Sequence, residues 1–127
     1  MREEITFDTG VLIALERRTQ AAWNILQSAE SRRIRAVAPQ VILVEWWRGR
    51  SDWRERILGT VRVEPLTDAL AKLAGEAIAT VKGATAVAAI VMASASLRGG
   101  AVYTSDVKDL SKLQAFFPNV TVFGIRT

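Results

Sequence analysis

The chain has 127 residues, half of them hydrophobic and 24% charged, a composition typical of one globular domain rather than of a disordered segment. It contains no histidine and no cysteine, so zinc-thiolate sites, disulfides and imidazole or thiol catalysis are excluded within the chain. The net charge of +4 favours an anionic partner. What remains available for catalysis is carboxylate chemistry.

No segment is typical of a secretory signal or a membrane span. The N-terminus, MREEITFD, lacks a basic start followed by an apolar run. The longest stretch of low charge, 83–97, is shorter than the roughly 20 apolar residues that a membrane helix needs. Because a chain without cysteine also suits a reducing compartment, we expect a cytoplasmic protein with no membrane contact and a single domain over 1–127.

The first half of the chain predicts strands that alternate with helices. A short strand at 5–8 precedes two amphipathic helical segments that begin near Val11. A second strand at 34–38 leads into a helix whose first turn contains Pro39 and which continues through Trp47. Ser51 caps a helix that ends near Gly59, and a third strand covers 61–63.

The second half repeats the alternation. Thr67 opens a helix that runs to about 80, and an apolar helix, TAVAAIVMASASLR, ends at Gly99. A short helix within 107–116 lies between strands at 101–104 and 120–125. Such alternation is typical of right-handed βαβ units, so the sequence predicts an α/β domain with a mainly parallel central sheet between layers of helices.

Acidic residues lie beside apolar segments at three places: Asp8 in ITFDTGVLIAL, Glu45 in VILVEWW, and Asp106 with Asp109 in VYTSDVKDL. Carboxylates rarely occupy such positions unless they are paired, hydrogen-bonded or bound to a metal. Asp8 and Asp106 follow predicted parallel strands, at the sheet edge where ligands collect, and Glu45 can reach it from the next helix. Mg²⁺ or Mn²⁺ would relieve the repulsion among these acids and activate water without histidine.

Each acid also has an ordinary structural interpretation. Asp8 fits an Asx turn with Thr9, and Asp106 fits a helix N-cap. Glu45 fits an exposed position between buried neighbours, and Asp109 fits a solvated position. Spacing alone leaves both interpretations open.

Three segments together resemble the PIN domain, most closely the VapC-type toxins of bacterial toxin-antitoxin pairs: FDTGVLIALER, APQVILVEWWRG and GATAVAAIVMASASLRGGAVYTSDVKDLSKL. The resemblance extends from about residue 5 to about residue 125. It implies a three-layer α/β/α fold and a Mg²⁺- or Mn²⁺-dependent endoribonuclease. It also implies a homodimer that a cognate antitoxin protein neutralises by occupying the active cleft.

The resemblance assigns roles by position. Asp8 and Asp106 would be metal ligands, Glu45 the second acid and Asp109 an auxiliary acid. Two hydroxyl residues, Thr9 and Thr104, are similar to those that hydrogen-bond the carboxylates of the family.

The chain departs from the family at Ala88, where an aspartate normally begins the apolar helix. No acid occurs between Glu76 and Asp106, and Glu76 belongs to the preceding helix, so it is a poor substitute. Loss of one acid should weaken metal binding and water activation. Either an engineered aspartate-to-alanine change or natural loss explains Ala88, and the otherwise intact acidic set favours the first.

We therefore expect weak or absent activity in this chain. An alternative is a non-catalytic PIN-like module that binds antitoxin or RNA, and a DNA nuclease is a third option. Arg48, Arg50 and Trp47 follow Glu45 closely and combine the cations and aromatic surface typical of single-strand RNA binding. In proteins similar to this one the same region contacts the antitoxin, and a merely solvated helical face is the plainer explanation.

Overall fold

The computed structural model describes residues 3–126. The strands are β1 (Glu4–Phe7), β2 (Arg35–Pro39), β3 (Arg62–Glu64), β4 (Ala101–Thr104) and β5 (Thr121–Gly124). The helices are α1 (Thr9–Glu16), α2 (Gln20–Ser31), α3 (Val41–Trp46), α4 (Asp52–Leu58), α5 (Asp68–Thr80), α6 (Ala86–Arg98) and α7 (Val107–Ser111). Strands and helices thus alternate along the chain as the sequence predicts.

The five strands form one parallel sheet in the order β3-β2-β1-β4-β5. The chain builds outward from β1 to β3 and then returns to add β4 and β5 on the other side of β1. Right-handed crossovers place α1 to α4 on one face and α5 to α7 on the other. In agreement, α1 packs on α2, α3 and α4, whereas α6 packs on α5 and α7. The predicted α/β/α architecture, with a parallel central sheet between two layers of helices, is confirmed.

The core lies on both faces of the sheet. On one face, Phe7 of β1 is fully buried, and the first group of helices contributes Leu12, Leu15 and Trp46, which are also fully buried. On the other side the middle of α6 is buried, including Met92. A helix that is apolar on all sides belongs inside the protein. Burial therefore explains why this segment carries so little charge, although it is too short to span a membrane.

Local signals set most of the helix ends. Ser51 and Thr67 cap α4 and α5 as predicted, since each hydroxyl accepts a hydrogen bond from the backbone N–H three residues later, at 3.1 and 3.2 Å. Gly99 ends α6 in the left-handed region at a φ of +62°. Among the described residues no helix is long and apolar enough to cross a membrane.

The prediction that Pro39 lies in the first turn of a helix is wrong. Pro39 is the last residue of β2 and pairs with Glu64 of β3. The next amide, that of Gln40, donates to the Glu64 carbonyl at 2.8 Å. This pairing extends the strand by one residue, so α3 begins at Val41 and is only six residues long.

Candidate active site

A cleft of about 380 Å³ opens at the carboxyl ends of β1 and β4, where the strand order reverses. Ligands of open parallel sheets bind at such a reversal, because the loops on either side diverge there. The described residues that line the cleft are Asp8, Thr9, Gly10, Ile13, Glu45, Thr85, Ala86, Val87, Ala88, Ser105, Asp106, Asp109 and Leu110. The structure therefore brings all four predicted acids to one cavity.

Asp8 is the most enclosed of these acids. It follows β1 directly and is the N-cap of α1, with only 8% of its surface exposed. Its Oδ1 accepts a hydrogen bond from the Thr9 amide at 2.8 Å, and its Oδ2 accepts one from the Thr104 hydroxyl at 2.7 Å. The first residue of α1 thereby orients one oxygen, and the last residue of β4 orients the other.

The pKa of Asp8 is raised above its ordinary value. Burial is the main cause, since removal from water disfavours the ionised carboxylate. The hydrogen bonds from Thr104 and Thr9 act in the opposite direction, and the negative charges of Glu45 and Asp106 raise the pKa further. The site thus pays an electrostatic cost that a bound cation would remove.

Glu45 reaches the cleft from α3. Its side chain is exposed, as the plainer interpretation held, yet its Oε1 accepts a hydrogen bond from the Thr9 hydroxyl at 2.6 Å. Thr9 therefore contacts two acids, donating its amide to Asp8 and its hydroxyl to Glu45. The first turn of α1 holds these two carboxylates in a fixed relation.

Asp106 is the N-cap of α7 and accepts a hydrogen bond from the Asp109 amide at 3.2 Å. Its own amide donates to the Thr104 hydroxyl at 2.9 Å, and the same hydroxyl donates to Asp8. Capping and membership of the cleft are therefore compatible. Asp109 is half-buried rather than simply solvated and pairs with Lys112 at 3.4 Å.

Ala88 faces the same cleft as the acids. It is the third residue of α6, its amide donates to the capping hydroxyl of Thr85 at 3.1 Å, and it is 4% exposed. A carboxylate at this position would project among Asp8, Asp106 and their neighbours. Glu76 lies exposed on α5 and is not among the described residues that line the cleft, so it does not replace the missing acid.

Gly10 and Ser105 also shape the cleft, although the sequence analysis did not identify them. A Cβ on Gly10 would lie 1.9 Å from the Ser105 Oγ, far inside contact distance. Only glycine allows the first turn of α1 to approach the loop between β4 and α7 so closely. The sequence does contain one sign of this close approach, because Gly10 is a glycine at the start of a predicted helical segment, two residues after Asp8.

The donor set fits a hard divalent cation. No lysine or arginine among residues 3–126 forms an ion pair with Asp8, Glu45 or Asp106. In the same part of the chain no group of three acids is arranged closely enough to hold an ion by itself. Mg²⁺ is commonly held by one or two carboxylates while it keeps several waters. Oxygen donors from Asp8 and Asp106 match that chemistry.

The predicted RNA or antitoxin contacts lie outside the cleft. Arg48 pairs with Glu16 at 3.4 Å and Arg50 pairs with Asp52 at 3.5 Å. Trp47 packs edge-on against Trp46 and lines a separate apolar groove, whose other described residues are Leu43, Val44, Glu55 and Leu58. These side chains form a surface on the first group of helices rather than part of the acidic site.

The fold is shared with solved toxin-antitoxin structures. A chain of VapBC2 from Rickettsia felis, bound to a promoter DNA fragment, matches with a TM-score of 0.73, 11% identity and coverage of 97% of this chain and 99% of that one. DNA-bound VapBC from Salmonella typhimurium matches with a TM-score of 0.72 and 15% identity, covering 98% of both chains. A toxin-antitoxin complex from Klebsiella pneumoniae matches with a TM-score of 0.71 and 23% identity, covering 95% of this chain and 99% of that one.

No protein-family model matches the chain, and no curated protein sequence matches it. At these low identities the structural likeness concerns the fold. It agrees with the resemblance to VapC-type toxins that the sequence motifs carry.

Proposed function

We propose that the chain is a metal-dependent endoribonuclease toxin of the VapC type whose activity is weakened or abolished by Ala88. The observation that carries the proposal is the convergence of Asp8, Glu45 and Asp106 on one cleft, where none of the three forms an ion pair with a described lysine or arginine. The toxin-antitoxin complexes that share its fold support the toxin role.

In this proposal the carboxylates of Asp8 and Asp106 hold Mg²⁺ or Mn²⁺. When bound, the ion supplies activation of water and neutralisation of phosphate charge. Thr9 and Thr104 orient the carboxylates through the hydrogen bonds described above. Glu45, exposed at the rim and hydrogen-bonded to Thr9, is placed to accept a proton from an approaching water.

The partners of this function are an RNA substrate, a cognate antitoxin protein and a second copy of the chain. The antitoxin is proposed because the structures of the same fold are toxin-antitoxin complexes. The homodimer and a cytoplasmic location follow from the resemblance to VapC-type toxins.

A second candidate function is a non-catalytic binding module. One observation favours it, namely the methyl group of Ala88 at the place where the cleft lacks an acid. Such a module would retain the fold and its binding surfaces without cutting RNA.

The deciding experiment is Ala88→Asp, assayed for cleavage of a labelled RNA pool in the presence of Mg²⁺ or Mn²⁺. An aspartate in the first turn of α6 is favoured by the helix dipole, so the exchange should be tolerated. We expect cleavage to rise by about 100-fold, since even the hydrogen-bonding partners of metal ligands are worth 10–100-fold in activity. A chelator should abolish the gain.

Two variants control this experiment. Ala88→Asn adds nearly the same volume without the charge and should stay inactive. Asp8→Asn in the Ala88→Asp chain should lose the gain. Absence of metal-dependent cleavage in a folded Ala88→Asp chain would favour the binding module over the nuclease.

A further inference from the structure

Most of the net positive charge of the chain comes from two segments that lie together in the fold. Residues 16–18 and 48–56 contain six arginines and three acids, a surplus of three out of the net charge of +4. We call this surface the arginine corner. The arginines are Arg17, Arg18, Arg48, Arg50, Arg54 and Arg56.

Contacts to the end of α1 hold the two segments of the arginine corner together. The Glu16 carboxylate pairs with Arg48 at 3.4 Å and with Arg54 at 3.1 Å. The indole N–H of Trp53 donates to the Glu16 carbonyl at 3.0 Å, and the Arg18 guanidinium lies 4.0 Å from the centre of the Trp53 ring. The single negative charge of Glu16 therefore pairs with two arginines and cannot neutralise both.

The arginines of the corner differ in how free they are. Arg54 is structural, because its side chain is only 19% exposed and its guanidinium is shared between Glu16 and the Gly49 carbonyl. By contrast the side chains of Arg48 and Arg50 are 60% and 72% exposed. Arg17 is exposed and has no ion-pair partner among the described residues. These three guanidinium groups are accessible to a ligand.

The arginine corner is joined to the acidic cleft by two helices. The first, α1, begins beside Asp8 with Thr9 and ends at Glu16, about 10 Å further on at 1.5 Å per residue. The second, α3, carries Glu45, and Arg48 follows three residues later. A strand that enters the cleft and continues along these helices would reach the corner.

We propose that the arginine corner binds the phosphates of the same RNA strand whose scissile bond lies in the cleft, an assignment that rests on the proposed ribonuclease function. Guanidinium groups suit phosphate because they donate two parallel hydrogen bonds to its oxygens. The Trp53 ring already contacts Arg18 and Trp23, so the corner recognises backbone charge and leaves base recognition to other parts of the protein.

The test measures binding of a fluorescein-labelled, unstructured oligouridine to the unmodified chain by fluorescence anisotropy, with chelator present, between about 50 and 200 mM salt. The variant is the double exchange Arg48→Gln and Arg50→Gln. The matched control is the double exchange Arg32→Gln and Arg35→Gln, which removes the same charge from exposed positions at the end of α2 and the start of β2. Thermal melting of each variant verifies folding.

We expect the corner variant to bind about tenfold more weakly and to lower the slope of log K against log salt by about 1.4, since each phosphate contact on a single strand contributes about 0.7. The control should bind as the unmodified chain does. Equal losses in both variants, or no loss in the corner variant, would overturn the proposal. So would tighter, corner-dependent binding of an oligoglutamate peptide, which would indicate an acidic protein as the occupant.

The binding measurement and the cleavage assay fail independently. Binding is measured without metal and with Ala88 in place, so failure of Ala88→Asp to cut RNA does not affect it. Conversely, the Ala88→Asp chain could be shown to cleave RNA while the exchanges of Arg48 and Arg50 leave the RNA affinity unchanged. That result would support the nuclease function and reject the arginine corner as an RNA-binding surface.

Discussion

The helix α6 has a group of carboxylates near each end. The carboxylates near one end are paired with arginines, and most of those near the other end are not. Near its last turn, Glu64 is paired with Arg98 and Arg62, and Arg62 also pairs with Glu4 at 3.2 Å. Near its first turn, Asp8, Glu45 and Asp106 share the cleft with Ala88, and none of the three forms an ion pair with a described lysine or arginine. The same helix thus separates acids that are compensated within the protein from acids that are not.

This difference teaches how to distinguish structural acids from functional ones. A carboxylate that is largely removed from water is stable when a guanidinium and a hydroxyl group donate to it, as Arg98 and Ser94 do for the partly buried Glu64. A buried carboxylate with a raised pKa and only hydroxyl and amide partners, such as Asp8, carries a negative charge that no cation compensates when it is ionised. The second kind of site is where an external cation gains most.

The largest expected effect comes from removing the compensation. Arg98 is only 9% exposed in its side chain, and it also donates to the Thr6 hydroxyl at 2.8 Å. The exchange Arg98→Met should lower the free energy of unfolding by about 3 kcal/mol, because it leaves the Glu64 carboxylate, whose side chain is only 17% exposed, without its main partner. Urea denaturation measures this loss.

Arg50→Met is the matched control for Arg98→Met. Its partner Asp52 is 97% exposed in its side chain, so this ion pair contributes little and stability should be unchanged. If the Arg98→Met chain were as stable as the unmodified chain, Arg98 would not compensate Glu64. The proposed difference between the two groups of acids would then be wrong.

A smaller effect should follow from supplying the missing cation. In the Ala88→Asp chain, Mg²⁺ at ten times its dissociation constant should stabilise the fold by about 1.4 kcal/mol, raising the melting temperature by about 4 °C. The same addition should not shift the melting temperature when Asp8→Asn is also present. A shift of equal size in both chains would place the ion elsewhere on the protein.

The smallest effect concerns pH. The pKa of Asp8 is raised in the folded protein, so the folded state binds more protons than the unfolded state between the ordinary value of 3.8 and the raised one. The contribution of Asp8 to the free energy of unfolding is therefore most favourable below pH 3.8, and it declines as the pH rises through the folded pKa. The negative charges of Glu45 and Asp106 also raise the pKa of Asp8, in the same direction as its burial.

The exchange Asp8→Asn removes this decline. The variant should gain stability relative to the unmodified chain on going from pH 4 to pH 7, as measured by urea denaturation at both values. A stability difference that is the same at the two pH values would show that Asp8 does not titrate differently in the folded state.

The order of strands and helices follows from local signals in the sequence. Apolar periodicity, Ser51, Thr67 and the Gly99 stop each act within a few residues, so they are visible without tertiary structure. Pro39 was misplaced because its pairing with Glu64 involves a strand that comes later in the chain. Patterns that extend over a few residues cannot predict a strand pairing whose partner is distant in sequence.

The candidate site divides in the same way. The positions of Asp8 and Asp106 after apolar strands, and the alanine in place of an acid at Ala88, are properties of the sequence. By itself the sequence thus determined the α/β class and which residues are candidates for the site.

Only the tertiary structure decided which charges are compensated. The contact of Gly10 with Ser105, the Glu16 anchor of the arginine corner and the pairing of Glu64 with Arg98 all join segments that are far apart along the chain. Burial and pairing depend on what the fold brings within a few ångströms, because desolvation and Coulomb energies are set by distance in space. Sequence spacing does not measure that distance.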